Sequence, residues 1–431
     1  MSGLFDELTW RGLVHQVTDP VLAGLLDTSV LTAYIGFDPT ADSLHLGNLL
    51  QLCNLRRLQE AGHRPIFLAG GGTGMIGDPG GKSEERSLLT ADQLAANLSA
   101  IRAQLERFVE LDDLNDLDEH TGLLLDNGAW LWELGLLDFL RDVGKHFTVN
   151  QMVAKESVRA RLEEREHGIS YTEFSYMLLQ AYDFLHLFDT HGCTLQLGGS
   201  DQWGNITMGV ELIRRRRGGQ AFGLTSPLIL RADGTKFGKS ESGTNIWLDA
   251  SRTSPYGLFQ FLLRTEDSQV GTYLRAFTWQ SRAAIDDLDR ATAENPERRD
   301  AQRALAREVT SMIHGQDEAA RAERAGEVLF SEEIAGLDER TLLAVFAEAP
   351  STEFARSRLD GAGLSLVEAM VGAELEKSNG AARRTIEGGG AYINNRKVVG
   401  VDAIIGRGDL LHDRYVVLRK GKKEQHLLRF G

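Results

Sequence analysis

The order of segments from Leu31 to Ala69 constrains the fold most. Leu31 to Phe37 (LTAYIGF) is a short uncharged run closed by Asp38-Pro39. A polar connection, DPTADSLH, leads into LGNLLQLCNLRRLQEAG, whose apolar residues recur at helical spacing up to Gly62. Pro65 to Ala69 (PIFLA) is the next apolar run and enters a glycine-rich turn. The period changes from buried strand to amphipathic helix and back to strand. Two strands joined through a helix pair in parallel, so the chain opens an α/β domain with a parallel sheet. In such sheets ligands bind at the loops beyond the strand ends.

Further elements extend this reading. Thr90 to Glu110 predicts a helix with Leu94, Leu98, Ile101, Leu105 and Phe108 on one side, and residues 171 to 191 predict another. Leu195 to Leu197 reads as a strand into GGSDQWGN, and Thr225 to Leu230 as a strand before a second glycine-rich loop. Beyond Leu248 the pattern is helical: 255 to 276, 280 to 291, 296 to 315, 319 to 330 and 338 to 346. Pro350-Ser351-Thr352 then breaks the chain. The expected division is an α/β domain at 1–248, an α-helical domain at 249–348, and a small α+β module with its linker at 349–431.

Composition narrows the class. With 431 residues, 42% hydrophobic and 25% charged, the chain has enough apolar surface for a large core. No run approaches the roughly 18 apolar residues of a membrane helix, and the acidic MSGLFDELTW start lacks secretory order. The expected setting is the cytoplasm. Cys53 and Cys193 form no metal or redox spacing. A net charge of -15 argues against DNA coating, yet Lys377 to Gly431 holds 12 Lys/Arg against 5 Asp/Glu. That end is +7 while the rest is -22, so any RNA contact is expected there.

Two glycine loops mislead. Gly72 to Gly77 matches G-x-G-x-x-G, but Asp78-Pro79-Gly80-Gly81 would interrupt the helix that a dinucleotide fingerprint needs. Gly77 to Ser83 has one residue too few for a Walker loop. What survives is a backbone-rich turn beside Lys82 and Arg86, suited to charged substrate parts.

Two segments carry chemistry. His45-Leu46-Gly47-Asn48 stands where the first helix begins, and helix starts present free N–H groups to anions. Lys236-Phe237-Gly238-Lys239-Ser240 puts two ammonium groups three residues apart on a loop, able to meet charge growing on a polyphosphate. Each alone also reads as a helix cap or a charged surface loop. Together with YIGFDPTADSLHLGN, GDPGGKSEER, YMLLQAYDF, GGSDQWGNI and ADGTKFGKSESG, in that order, they resemble the class I aminoacyl-tRNA synthetases and, more narrowly, the bacterial tyrosyl-tRNA synthetases.

The resemblance implies a Rossmann-like parallel-sheet catalytic domain, an anticodon-side helical domain and an S4-like RNA-binding domain. It implies ATP, with Mg2+ accompanying it and no tightly held metal, tRNA(Tyr) as partner, and a homodimer. Tyr34 and Asp183 would contact the tyrosine hydroxyl, and Tyr176, Gln180 and Asp78 its ammonium. Gln202 would lie near its carboxylate. Asp38, Gly47, Asn48, Gly199 and Asp201 fall on the nucleotide side. Thr40, His45, Lys236 and Lys239 would face the phosphates, with Lys82 and Arg86 on a basic loop near pyrophosphate and the tRNA end. Tyr176, Gln180 and Asp183 are spaced four and three apart, hence on one helical face.

Three departures accompany the match. Asn48 replaces a usual His, Phe237-Gly238 replaces Met-Ser, and Gln51 occupies a variable position to which no role is assigned. In the terminal module Arg383, Arg384, Arg396 and Lys397, with Arg419, Lys420, Lys422 and Lys423, are RNA-contact candidates or a solvated charge cluster. The apolar stretch 127 to 147 is either a dimer face or core. A tryptophan-specific relative and an inactive RNA-binding paralogue remain the rival readings.

Overall fold

The structure is a computed structural model describing residues 3–77, 90–111, 121–155, 158–159, 169–235, 237–238, 244–328, 331–347, 349–398, 400–421 and 424–431. The expected site residues Asp78, Lys82, Arg86, Lys236 and Lys239, and also Lys422 and Lys423, lie outside the described residues. The chain divides into two compact units, Met1–Thr253 with Thr265–Leu305, and Ser254–Arg264 with Ala306–Gly431.

The first unit is built on six strands: β1 (Gln16–Val17), β2 (Thr32–Phe37), β3 (Arg64–Ala69), β4 (Leu123–Asp126), β5 (Cys193–Gly199) and β6 (Phe222–Ser226). Their order is β1-β6-β5-β2-β3-β4. Five strands run parallel, but β1 pairs antiparallel with β6 through Gln16↔Thr225 and Val17↔Leu224. The sheet is therefore mixed, where the sequence suggested a parallel one. A two-residue strand leaves no periodic signal.

Nearly continuous burial along β2 and β3 is what a parallel sheet covered on both faces demands. Tyr34, Ile66 and Leu68 from one face join Met177, Ala181 and Phe184 of helix Tyr171–His191 in one core, with Tyr34 and Phe184 ring centroids 5.2 Å apart. Truncating a fully buried Phe such as Phe184 costs about 3–5 kcal/mol. That helix is capped by Ser170, which accepts from the backbone of Glu173, and ends on Gly192 at φ 61.

Three details differ from expectation. β6 ends at Ser226 rather than Leu230, because Pro227 has no N–H for the ladder; Leu228 and Leu230 are exposed. The helix expected at 255–276 is two, Pro255–Leu263 and Asp267–Phe277. Stretch 127–147 serves two ends: Phe139, Val143 and Phe147 enter the core, while Trp132, Leu136 and Leu137 are exposed.

In the second unit, helix Pro255–Leu263 packs on Gln316–Val328 and Glu339–Val345. Its five-stranded sheet has the order β10 (Arg396–Lys397), β9 (Ala391–Ile393), β12 (Tyr415–Lys420), β13 (Glu424–Phe430), β7 (Ser351–Phe354), while β8 (Leu364–Ser365) and β11 (Ile404–Ile405) form a separate antiparallel pair. Alternation along β12 serves both faces. Val416 and Leu418 meet Leu366, Met370 and Ile386, whereas Tyr415 and Val417 meet Ile334, Leu342 and Phe346.

Candidate active site

β2 leads to β3 on one side, and the chain returns to place β5 on its other side, so the order reverses between β2 and β5. The connections diverge there, leaving a crevice at the carboxyl ends of the strands. A cleft of about 190 Å³ occupies this point, lined by Tyr34, Asp38, Gly47, Asn48, Gln51, Tyr176, Gln180, Asp183, Gln196, Gly199 and Gln202 among others. The sequence had singled out all of these except Gln196. Thr40, His45 and Asp201 do not line it: Thr40 and His45 each stand two residues from a lining residue, Asp38 and Gly47, and Asp201 is next to Gln202.

At the base, Asp183 is buried and receives two hydrogen bonds. Asn127 Nδ2 donates to Oδ2 at 2.8 Å, and Trp130 Nε1 donates to Oδ1 at 2.8 Å. Burial pushes its carboxyl up to about 7, while these two donors pull in the opposite direction. Tyr34 Oη is buried and has no hydrogen-bond partner among the described residues. Burial, reinforced by the nearby Asp183 charge, drives the phenol well above its ordinary range. An unpaired buried polar group costs about 1–3 kcal/mol.

The helical face expected for Tyr176, Gln180 and Asp183 is real. Gln180 Nε2 donates to Gln202 Oε1 at 3.3 Å, and Asn205 Nδ2 donates to Gln180 Oε1 at 2.9 Å. This fixes the helix to the turn that comes after β5. In that turn a Cβ on Gly199 would lie 2.6 Å from Asp201 Oδ1, so a side chain there would turn the Asp201 carboxylate aside.

Asn127 is a second residue of the cleft that sequence reasoning missed. Its Oδ1 accepts from Gly72 N at 2.8 Å, and its Nδ2 also donates to Thr73 Oγ1 at 2.9 Å. It thus sews the Gly70–Met75 turn to Asp183. That turn makes one 3-10 turn, Thr73–Met75, with Gly77 at φ 84, so its G-x-G-x-x-G match does not open a longer helix within the described residues.

On the other wall, Leu46 to Asn48 form a 3-10 turn before helix Leu49–Glu60, and Asn48 Oδ1 accepts from His45 N at 3.1 Å. The second signature loop comes to it. Leu46 N donates to Ile246 O at 2.7 Å, Ile246 N to Gly238 O at 2.8 Å, and Leu248 N to Leu44 O at 2.9 Å. Phe237 anchors the loop between Tyr273 and Phe277, with ring centroids at 4.5 and 5.1 Å. Two segments almost two hundred residues apart therefore form one wall.

In the second unit Arg383 and Arg384 are exposed on helix Asn379–Glu387, and Arg396 and Lys397 are exposed on edge strand β10. The ammonium end of Lys397 lies over Gly389, just past that helix. Arg419 is drawn onto the Tyr392 ring at 3.7 Å, and Lys420 Nζ donates to Leu375 O at 3.1 Å beside Glu376. These last two serve the module's own packing.

Comparisons with known proteins agree with this geometry. Residues 26–331 match the profile of the class I tRNA synthetases (W and Y), and residues 342–428 match the tyrosine--tRNA ligase SYY-like C-terminal domain. The tyrosine--tRNA ligase of Roseiflexus castenholzii is 53% identical over all of both chains, and that of Bacillus caldotenax is 49% identical over 99% of this chain and 100% of its own. The crystal structure of a C-terminally truncated mitochondrial tyrosyl-tRNA synthetase from Aspergillus nidulans is 31% identical. It covers 77% of this chain and 95% of its own, with a TM-score of 0.68. A tryptophanyl-tRNA synthetase from Encephalitozoon cuniculi shares the fold at 13% identity and a TM-score of 0.53. The switch-point cleft, its buried phenol–carboxylate base and these relatives lead to one conclusion: the chain belongs to the tyrosine--tRNA ligase family of class I aminoacyl-tRNA synthetases.

Proposed function

We propose that this cleft activates L-tyrosine with ATP and transfers it to the terminal adenosine of tRNA(Tyr). The observation that carries the reading is the pairing at the base of the cleft. Tyr34 presents a buried hydroxyl without a partner among the described residues, and Asp183 presents a carboxylate with accepting capacity left over. A substrate phenol donates to the carboxylate and accepts from Tyr34, satisfying both. Phenylalanine leaves both unmet, and tryptophan lacks an oxygen there.

Tyr176, Gln180 and Asp78 bind the ammonium in this account, and Gln202 lies at the carboxylate. Asp38, Gly47, Asn48, Gly199 and Asp201 hold the adenosine. The tyrosine carboxylate attacks the α-phosphorus, pyrophosphate leaves, and a ribose hydroxyl of the tRNA end then takes the acyl group from the adenylate. The enzyme forms no covalent bond, so rate comes from placement and from charge stabilisation. His45, Thr40, Lys236, Lys239, Lys82 and Arg86 supply the donors for the leaving phosphates, with Mg2+ arriving on ATP. Mixing the protein with tyrosine and ATP, then passing it through gel filtration, should yield bound tyrosyl-adenylate that added tRNA(Tyr) discharges; no bound adenylate would sink the proposal.

The terminal module acts as an S4-like tRNA-binding domain, with Arg383, Arg384, Arg396 and Lys397 as its phosphate contacts. A charged edge strand also deters pairing with other sheets, but the cluster's position in the one basic region of the chain favours RNA. The working form is a homodimer: Trp132, Leu136 and Leu137 are 69%, 70% and 80% exposed within one stretch, and water penalises such a patch. The setting is the cytoplasm; no described helix is long and apolar enough to cross a membrane.

A further inference from the structure

One aromatic contact reaches the specificity carboxylate from behind. His186 stands three residues after Asp183 on helix Tyr171–His191 and so emerges on the same side. Its imidazole stacks on the Trp130 indole, with centroids 4.2 Å apart and planes at 17°. The same indole donates from Nε1 to Asp183 Oδ1 at 2.8 Å. Trp130 sits in a four-residue helix, Gly128–Leu131. So short an element holds a side chain weakly, and packing against its face must set the plane of the ring.

We propose that His186 is a positioning residue for selection of the substrate hydroxyl: it clamps the Trp130 indole so that the indole N–H fixes one oxygen of Asp183. The proposal rests on the reading that Asp183 receives the tyrosine O–H. Asn127 occupies one lone pair on Oδ2 and Trp130 one on Oδ1. The remaining lone-pair directions depend on how the carboxylate is rotated, and the two donors set that rotation. Burial lowers the imidazole below its ordinary range, which keeps the stacked ring neutral. Tyr182, 6.4 Å from the imidazole, borders its ring as well. Loss of the stack frees the indole to turn, and the hydrogen bond that suffers is one that only a hydroxylated substrate uses.

The test compares His186→Ala and His186→Phe in amino-acid-dependent ATP–pyrophosphate exchange, with tyrosine and phenylalanine as substrates. His186→Ala should raise the tyrosine KM and lower the tyrosine-over-phenylalanine preference by about two- to tenfold, the range of one aromatic pair, with the ATP KM held within about twofold. His186→Phe, which restores a flat ring, should recover both quantities. Unchanged preference in His186→Ala, equal rises in both KM values, or no recovery in His186→Phe would each overturn the clamp. Asp183→Asn run in parallel separates the two levels. If it leaves preference intact, the hydroxyl reading itself fails; if it abolishes preference while His186→Ala does not, only the clamp fails.

Discussion

Gly238 lies directly against Gly47: a Cβ built on Gly238 would stand 2.7 Å from the Gly47 backbone nitrogen. Gly238 also holds φ +96, which an L side chain rarely adopts. The contact joins the loop that carries the two lysines to the turn that opens helix Leu49–Glu60.

Gly238→Ala should therefore push these two segments apart. Backbone strain of about 1–3 kcal/mol at such positions converts to a slowing of adenylate formation by about 5- to 160-fold. The tyrosine KM should change little, because Tyr34 and Asp183 lie on other segments. Pre-steady-state measurement of adenylate formation checks this, and a rate equal to that of the parent protein would show that the contact does not matter.

The ionisation of Asp183 gives a pH dependence whose sign is fixed. Its folded-state value is about 7, above the ordinary carboxylate range, with burial as the main cause. Accepting the substrate O–H requires the ionised form, so kcat/KM for tyrosine should rise as pH passes upward through about 7. For stability the same raised value means that the folded state holds the proton more tightly. The contribution is complete below the unfolded value of about 4 and is lost as pH rises to about 7. Asp183→Asn should remove this inflection in kcat/KM; an unchanged profile would assign it to another group.

How much of this was legible in the sequence depended on whether a residue belonged to a pattern. Residues 171 to 191 showed a clear helical face, and the structure has the helix there. β2 and β3 announced themselves as apolar runs between turn residues. β4 (LLLD) did not, since a few leucines fit strand and helix equally. The split at Arg264–Glu266 carried no Gly or Pro to mark it. Tyr34 and Asp183 stood out because they belong to the segments YIGFDPTADSLHLGN and YMLLQAYDF. Asn127 and His186 act through contacts that close only in three dimensions, so neither stood out: one is a lone amide in an apolar stretch and the other one of two imidazoles on a helix.

The four cations of the terminal module give a separate expectation. Arg383→Ala, Arg384→Ala, Arg396→Ala and Lys397→Ala in one chain should raise the KM for tRNA(Tyr) and flatten its salt dependence, while exchange without tRNA stays at the parent rate. Aminoacylation at several salt concentrations checks it. Retained salt dependence would place the tRNA phosphates elsewhere. Point changes suit this better than deletion of 351–431, which would strip Leu342 and Phe346 of Tyr415, Val417 and Leu427.

Leu137→Glu tests the proposed dimer face. At 80% exposure this side chain contributes little to the core of its own chain, so the variant should fold yet sediment as a monomer at concentrations where the parent is dimeric. A dimeric variant would move the interface away from this stretch.

The most direct measurement is ATP–pyrophosphate exchange in the presence of tyrosine, phenylalanine or tryptophan, one at a time. The buried hydroxyl–carboxylate pair of Tyr34 and Asp183 predicts rapid exchange with tyrosine and very slow exchange with the other two. Faster exchange with tryptophan, or none with any of the three from folded protein, would contradict the account.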